Sequence, residues 1–216
     1  MNFLFVGQGY PGAGGTSDGS GIGTYLREMA LGLQAQGHEC HVLVWSTEPS
    51  RRANPFHLSL RRSFPAALRE QDMQGVKVFV LRHAYWPLVE RFVPDSCDVH
   101  RLRQAVRYLC GEYEYDWIEI QSEEGIAQGV LADYPTRTIL RIHTTLADMV
   151  RDKQVTKSYK VRRQLAREEA SFHQARRVVT HSEFHAEQLV KRFPFLSKPA
   201  VVRHGFNLEE ETGDGE

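Results

Sequence analysis

The segment of the chain that decides the fold reads NFLFVGQGYPGAGGTSDGSGIGT, residues 2–24. A short apolar run, Asn2 to Val6, gives way to a stretch with eight glycines, and a segment of helical periodicity starts at Tyr25. A short apolar run that ends in glycine and leads into a helix is typical of a parallel strand buried on both faces. No basic residue precedes the run, so it predicts neither a signal peptide nor a membrane anchor.

The rest of the chain repeats this alternation of short apolar runs and helical segments. The predicted strands are Asn2 to Val6, Cys40 to Trp45, Val76 to Arg82, Trp117 to Ile120, Thr138 to Ile142, Arg177 to Thr180 and Ala200 to Arg203. The predicted helices are Tyr25 to Gln36, Asp98 to Gly111, Gly125 to Ala132, Val155 to Ala175 and Glu183 to Arg192. The pattern predicts an α/β domain of three layers around a mainly parallel sheet of about seven strands.

One domain, residues 1–208, is expected to contain all of these elements. Residues 46–75 break the pattern with Pro49, Pro55 and Pro65, so we predict an irregular and mobile insertion there. Residues 209–216 are acidic and have no apolar anchor, and they are predicted to form a linker or tail.

Composition excludes several classes of protein. With 41% hydrophobic and 25% charged residues the chain is an ordinary globular one. Its formal net charge of zero gives no electrostatic reason to expect a nucleic-acid partner. Cys40, Cys97 and Cys110 are odd in number and lack metal-ligand spacing, so we expect no disulfide framework, no zinc site and a reducing, cytoplasmic location.

The glycine-rich loop is the first candidate binding site. Glycine lets backbone N–H groups approach an anion closely, and the N-terminus of the next helix adds partial positive charge. The loop therefore favours a phosphate or a sugar hydroxyl as its ligand. Gly7, Gly9 and Gly12 also match GxGxxG, which leaves open an NAD(P)-dependent oxidoreductase, although Pro11 and further glycines delay the helix that this motif requires.

The second candidate is His143, which follows a predicted strand at the position where open α/β sheets hold their ligands. Two histidine pairs, His38 with His41 and His181 with His185, have spacings that do not converge on one metal ion. A structural role is predicted for the first pair, and solvated or capping roles are predicted for the second. The sequence contains neither GK[ST] nor DxD, and no metal site is required.

Residues 151–167 carry seven bases against one acid, Asp152. Such a segment is compatible with a solvated helix face, and equally with a surface for an anionic acceptor or a membrane. Arginine and aromatic residues at 51–69 add a further alternative, a membrane-surface or partner-binding module.

Several motifs together resemble the N-terminal domain of the retaining GT-B glycosyltransferases of family 4. They are Gly14-Gly15, GIGTYLREMA (residues 21–30), LQAQGHECHV (33–42), YDWI (115–118), RIHT (141–144), ARRVVTHSEF (175–184) and VVRHGFN (201–207). The resemblance covers almost the whole chain. The chain departs from the family pattern at Ile120 or Gln121, at Arg176 and at Arg203-His204, where family members commonly have His, Asp and Pro-Asn.

The resemblance implies two Rossmann-like domains with the active site in the cleft between them, of which this chain is the N-terminal, acceptor-side half. A nucleoside-diphosphate sugar would be the co-substrate, with no other cofactor, and the acceptor would be a sugar, a lipid or a small molecule. The partner would be a C-terminal GT-B domain, without which the chain would be inactive. A lipid acceptor would bring the protein to the inner face of the membrane as a peripheral contact.

The resemblance also implies roles for individual residues. Donor binding would fall to Gly14, Gly15, Gly21, Gly23 and Thr24. His143 would be the catalytic residue and would orient the donor sugar. Acceptor binding would fall to Thr144, Thr145, Lys160 and Arg163.

Overall fold

The apolar runs of the sequence form the strands of one eight-stranded sheet. The computed structural model describes residues 1–13, 21–49, 68–83, 96–152 and 154–203. The strands are β1 (Asn2–Gln8), β2 (Glu39–Pro49), β3 (Leu68–Met73), β4 (Val76–His83), β5 (Trp117–Gln121), β6 (Thr138–Ile142), β7 (Val178–Thr180) and β8 (Ala200–Val201). The helices are α1 (Gly21–Ala35), α2 (Ser96–Glu112), α3 (Gln128–Asp133), α4 (Leu146–Arg151), α5 (Tyr159–Gln174) and α6 (Glu183–Arg192), with a 3₁₀ turn at Glu123–Gly125.

The order of the strands creates a switch point in the middle of the sheet. Across the sheet the order is β3-β4-β2-β1-β5-β6-β7-β8, and every neighbouring pair is parallel except β3 with β4. The chain builds outward from β1 through β2 to β4 and then returns to the other side of β1 with β5. In open α/β sheets a crevice opens where the strand order reverses in this way, at the carboxyl ends of the strands. Here it lies between β1 and β5.

Both faces of the sheet are covered, which explains why its strands read as continuous apolar runs. On one face α1 packs on the sheet, with Tyr25, Leu26 and Ala30 in a buried cluster with strand residues such as Phe5. On the other face a larger cluster joins the strands to α2, α3, α5 and α6. The predicted three-layer α/β architecture is confirmed.

The prediction of irregular structure at residues 46–75 is wrong at both ends of that segment. Residues 46–49 continue β2, and Leu68–Met73 forms β3, an antiparallel partner of β4 joined to it by the two-residue turn Gln74-Gly75. Residues 50–67 lie outside the described residues. The sequence LREQDM gave no strand signal because an edge strand packs on one side only, and its polar residues are exposed.

Predicted helix boundaries differ from the structure mainly after β6. The segment from Val155 was predicted to be helical, but α5 begins only at Tyr159, where Ser158 caps it by accepting a hydrogen bond from the amide of Val161. The short helix α4 was not predicted, because six residues show too little periodicity. α6 has the predicted bounds, and Ser182 caps it as expected for Ser followed by Glu.

Candidate active site

The switch point brings the start of the glycine-rich loop against the end of β5. Gly7 lies in β1 and Gln121 is the last residue of β5, one position beyond the hydrogen-bonded pair Val6 and Ile120. A Cβ atom at position 7 would lie 2.7 Å from both Nε2 of Gln121 and Cδ1 of Leu26, so a larger residue there would have to displace these side chains. The loop therefore leaves the sheet directly beside the buried amide of Gln121.

The first turn of α1 contains three of the residues predicted to bind the donor. Gly21, Gly23 and Thr24 are the first, third and fourth residues of this 15-residue helix, and Gly23 is buried. Their amides lie at the positive end of the helix dipole. Gly14 and Gly15 lie outside the described residues. Residues 7–13 are described and none of them is helical, so no helix opens inside GxGxxG as a dinucleotide site requires.

His143 follows β6 directly and lies against α1. Its ring meets the ring of Tyr25 edge-on, with 5.1 Å between centroids and an interplanar angle of 72°. Since Tyr25 belongs to the first turns of α1, this contact joins the predicted donor-binding helix to the predicted catalytic histidine. The sequence placed both at the carboxyl edge, and the structure brings them together.

The two threonines after His143 have different surroundings. Thr144 is exposed. Thr145 is fully buried and caps α4, because its Oγ1 accepts from the amide of Asp148 at 3.0 Å and donates to Oδ2 of Asp148 at 2.6 Å. The hydroxyl of Thr145 is thus engaged in a helix cap, and only Thr144 presents a surface to a ligand.

Below His143 lies a buried polar network that the sequence analysis did not identify. Arg141 donates through Nε to Oε1 of Glu119 at 2.7 Å and through Nη2 to Oε2 at 3.3 Å. Tyr25 donates its hydroxyl to Oε1 of Glu119 at 2.5 Å. Burial, and next the negative charge of Glu119, raise the pKa of Tyr25, so its hydroxyl keeps the proton that it donates. The sequence did contain a signal for this network, because Glu119 and Arg141 are charged residues within two short apolar runs.

Polar atoms at the end of β5 form a second feature that the sequence analysis missed. The amide oxygen and nitrogen of Gln121 and the hydroxyl of Ser122 are buried, and within the described part of the chain they have no hydrogen-bond partner. Buried polar atoms without partners are rare in proteins. They lie beside Gly7, where the glycine-rich loop starts, and so mark the switch point as a polar crevice.

Two carboxyl groups with raised pKa values stand beside this crevice. Burial raises the pKa of Glu123 to about 7, and the charge of Glu124 adds to the effect. Burial also raises the pKa of Glu168, on α5, to about 7, partly opposed by hydrogen bonds from backbone amides at the start of α4. Glu168 accepts from the amide of Leu146 at 3.0 and 3.1 Å. This carboxyl group thereby ties α5 to the helix that follows His143.

The basic residues predicted to bind the acceptor lie at the start of α5. The helix descends from the carboxyl side of the sheet, since it links α4 to the next parallel strand. Lys160 is exposed, and Nη1 of Arg163 donates to the hydroxyl of Tyr159 at 3.1 Å. Lys160 lies eight residues before Glu168, which is about 12 Å along the helix. Lys160 therefore lies well away from the carboxyl group of Glu168 that contacts the start of α4.

His41, His181 and His185 make contacts within the fold. His41 is buried, with Nδ1 2.7 Å from the hydroxyl of Tyr115, and burial lowers its pKa. His181 and His185 stack with ring centroids 4.8 Å apart, and Nδ1 of His185 lies 2.5 Å from Oγ1 of Thr180. Within the described ranges no group of three or more His, Cys, Asp or Glu side chains could hold a metal ion.

Comparison with solved structures identifies the fold. The UDP-glucosyltransferase from Polygonum tinctorium, described as capable of glucosylating indoxyl, is similar with a TM-score of 0.51 and 14% identity, over 95% of this chain and 51% of its own. Apo UGT2 of Phytolacca americana has a TM-score of 0.47 and 11% identity, over 95% of this chain and 52% of its own. This chain spans about half the length of these structures. It has the α/β fold of one half of a GT-B glycosyltransferase.

The amino-acid sequence identifies the family within this fold. The family model described as Glycosyltransferase Family 4 matches residues 19–210, which is most of the chain. The chain therefore belongs to glycosyltransferase family 4. A search of curated protein sequences finds no match. Among the residues that the structure describes, no helix is both long and apolar enough to cross a lipid bilayer.

Proposed function

We propose that this domain is the acceptor-side half of a retaining glycosyltransferase that transfers a sugar from a nucleoside-diphosphate sugar to an acceptor hydroxyl. In this proposal a second GT-B domain holds most of the nucleotide, and the chain does not transfer sugar alone. Membership of family 4 and a length of about half that of the similar solved structures support it.

The observation that carries the proposal is the contact of Tyr25 with His143. Tyr25 directly follows Gly21, Gly23 and Thr24 in α1, so its contact with the ring of His143 supports a donor site formed by the start of α1 and this histidine. Backbone amides at a helix N-terminus stabilise the charge of a diphosphate leaving group, and electrostatic stabilisation of this kind is commonly the largest contribution to catalysis. His143 then hydrogen-bonds the sugar ring that lies between the leaving group and the acceptor.

In the proposed reaction the bond between the anomeric carbon and the diphosphate oxygen breaks, and the acceptor oxygen bonds to the same face of that carbon. The departing nucleoside diphosphate takes the proton of the acceptor hydroxyl. Thr144 is the exposed polar residue next to His143 and is assigned to the acceptor. Lys160 and Arg163 are assigned to an anionic group of the acceptor farther out. A lipid acceptor would place this surface at the cytoplasmic face of a membrane. Thr145 is left out of the acceptor site, because its hydroxyl caps α4.

A titration of the isotope-labelled chain with UDP-glucose, GDP-mannose and NAD in parallel tests this proposal. We expect weak amide shifts from a nucleotide sugar in the first turn of α1 and at His143, no response to NAD, and no sugar transfer. Saturable, tight NAD binding would support the oxidoreductase alternative instead. A first turn of α1 that does not respond to any nucleotide sugar would contradict the donor-site assignment.

The His143→Ala variant tests the catalytic residue in the same titration. We expect it to lose the nucleotide-sugar shifts in the first turn of α1. The matched control is His100→Ala, since His100 is exposed on α2 and contacts Gln104 of the same helix. Equal responses of both variants to the nucleotide sugars would contradict a role of His143 in donor binding.

A further inference from the structure

Arg141 and Glu119 form an ion pair that is almost entirely removed from water. Arg141 is 1% exposed and Glu119 is 8% exposed. Removing two charges from water is so unfavourable that their attraction often does no more than compensate for it. Two apolar residues of similar size would serve the core of an α/β sheet as well, so stability alone does not account for this pair. A role in fixing geometry is the alternative that such pairs allow.

Each nitrogen of the Arg141 guanidinium group donates a hydrogen bond, and its plane contacts an aromatic ring. Two of its nitrogens donate to Glu119, and the third, Nη1, donates to the carbonyl oxygen of Val202 at 3.2 Å. Its plane lies over the ring of Tyr25, with 4.4 Å between Cζ and the ring centroid. Because the group is 1% exposed and each of its nitrogens already donates to a protein oxygen, we do not assign Arg141 to a substrate anion. It orients other groups.

Two sets of contacts lead away from Arg141. One runs through Tyr25, whose hydroxyl is fixed by Glu119 and whose ring meets His143. The other runs to Val202, which follows β8 and whose amide donates to the carbonyl oxygen of Thr180 at 2.8 Å. Val202 belongs to the segment that resembles the crossing between the two domains of family members. A single side chain thus connects His143 with the start of that segment.

We propose that Arg141 is a positioning residue, which sets the orientation of His143 through Tyr25 and the path of the chain after β8 through Val202. A catalytic role for this positioning by Arg141 rests on the proposed function. In a two-domain transferase it keeps the histidine and the domain crossing in a constant relation, so that closure of the cleft brings the donor to His143 in one geometry. Positioning of this kind contributes strongly to rate, because small misplacements of a catalytic group slow catalysis greatly.

The test is nuclear magnetic resonance of the chain with Glu119→Gln and Arg141→Met together. Changing both residues avoids a buried unpaired charge, which would be strongly destabilising. We expect a folded protein in which the ring signals of His143 and the amide signals of Val202 and Arg203 shift, and in which the ring-to-ring Overhauser effect between Tyr25 and His143 is lost. Wild-type positions for all of these signals would overturn the proposal.

A second variant, Arg141→Lys, separates the two sets of contacts and covers the case in which the double variant does not fold. One ammonium group pairs with Glu119 but does not also reach the carbonyl of Val202. We therefore expect the His143 signals near their wild-type positions and the Val202 amide displaced. A Val202 amide at its wild-type position would contradict the direct contact with Arg141.

Arg107→Lys is the matched control. Arg107, which is exposed on α2, donates two hydrogen bonds of 2.6 and 2.7 Å to Asp133 of α3, and Asp133 also accepts from Arg103. Arg107 contacts neither His143 nor Val202 in the described structure, so their signals are expected to be unchanged. Equal shifts in this control would show that any lost ion pair disturbs the site. The measurement needs no donor, so its result is independent of whether nucleotide sugars bind.

Discussion

The buried hydroxyl of Tyr25 is expected to contribute measurably to the free energy of unfolding. In the Tyr25→Phe variant Glu119 would lose a 2.5 Å hydrogen bond while staying buried beside Arg141. Hydrogen bonds to a charged group contribute about 1.5–3 kcal/mol, and we expect the free energy of unfolding to fall by that amount. Urea denaturation followed by circular dichroism measures it.

Tyr159→Phe is the control for that prediction. The hydroxyl of Tyr159 also has an arginine partner, Arg163, but Tyr159 is 60% exposed. Substitutions at such surface positions usually change stability by less than about 0.5 kcal/mol. A similar loss in both variants would mean that burial of the Tyr25 network is not what makes its hydrogen bonds strong.

Only some of the individual residues of the candidate site could be located from the sequence. His143 could be predicted because its place after a buried strand is visible in the sequence. Glu119 and Arg141 could not be paired from the sequence, because their contact depends on β5 and β6 being neighbours and on the register of the two strands. The role of Thr145 was misjudged for a related reason, since the cap that it forms belongs to a helix too short to predict.

Packing between elements is most demanding where the turn after β5 meets α5. Gly125 has a φ of +68°, and a Cβ there would lie 2.6 Å from backbone atoms of both Arg167 and Glu168. The Gly125→Ala variant combines left-handed strain with a collision against a helix backbone that cannot move by itself. We expect its urea midpoint to fall far more than that of Gly37→Ala.

Gly37 is a close comparison for this purpose. Its φ is +83°, and a Cβ there would have nothing within 4 Å, so Gly37→Ala introduces strain without collision. Strain of this kind amounts to about 1–2 kcal/mol, and the collision at Gly125 is expected to add at least about 2 kcal/mol. Equal losses in the two variants would show that α5 yields to the added methyl group.

The elements that the sequence predicted well are strands buried on both faces and a helix with one clear apolar face. β1, β5, β6 and α6 have strong apolar patterns, and their predicted limits lie within a few residues of the observed ones. β3 was missed because its outward residues are polar. Its pairing with β4 is specified by the turn between the two strands and not by an apolar periodicity. Strands at the edge of a sheet show less of the apolar pattern on which sequence-based prediction depends.

The stability of the whole molecule is expected to depend on pH through its buried carboxyl groups. Burial raises the pKa of Glu168 to about 7, whereas in an unfolded chain it lies near about 4.3. Between these values the folded state holds a proton that the unfolded chain has lost, so the free energy of unfolding falls as pH rises. For one such group the fall from about pH 5 to about pH 7 is about 2 kcal/mol.

Glu168→Gln is expected to make this fall with pH shallower. Glu123, whose pKa burial also raises to about 7, contributes a fall of the same sign. His41, His181 and His185, whose pKa values burial lowers, contribute a rise with pH that is the same in the wild type and the variant. Glu169→Gln, a change at the exposed neighbouring residue, is expected to leave the slope as in the wild type. Urea unfolding across this pH range gives both slopes. A slope in Glu168→Gln as steep as in the wild type would show that Glu168 stays ionised in the folded protein.

The two edges of the described sheet also bear on how the protein behaves at high concentration. On one side β3 ends the sheet with Arg69, Glu70 and Asp72 exposed, and on the other β8 is only two residues long. Charged or very short edge strands are poor templates for a strand from another molecule. We therefore expect solutions of this chain to resist fibril growth through its native sheet, and a nucleus for aggregation would have to come from unfolded chain.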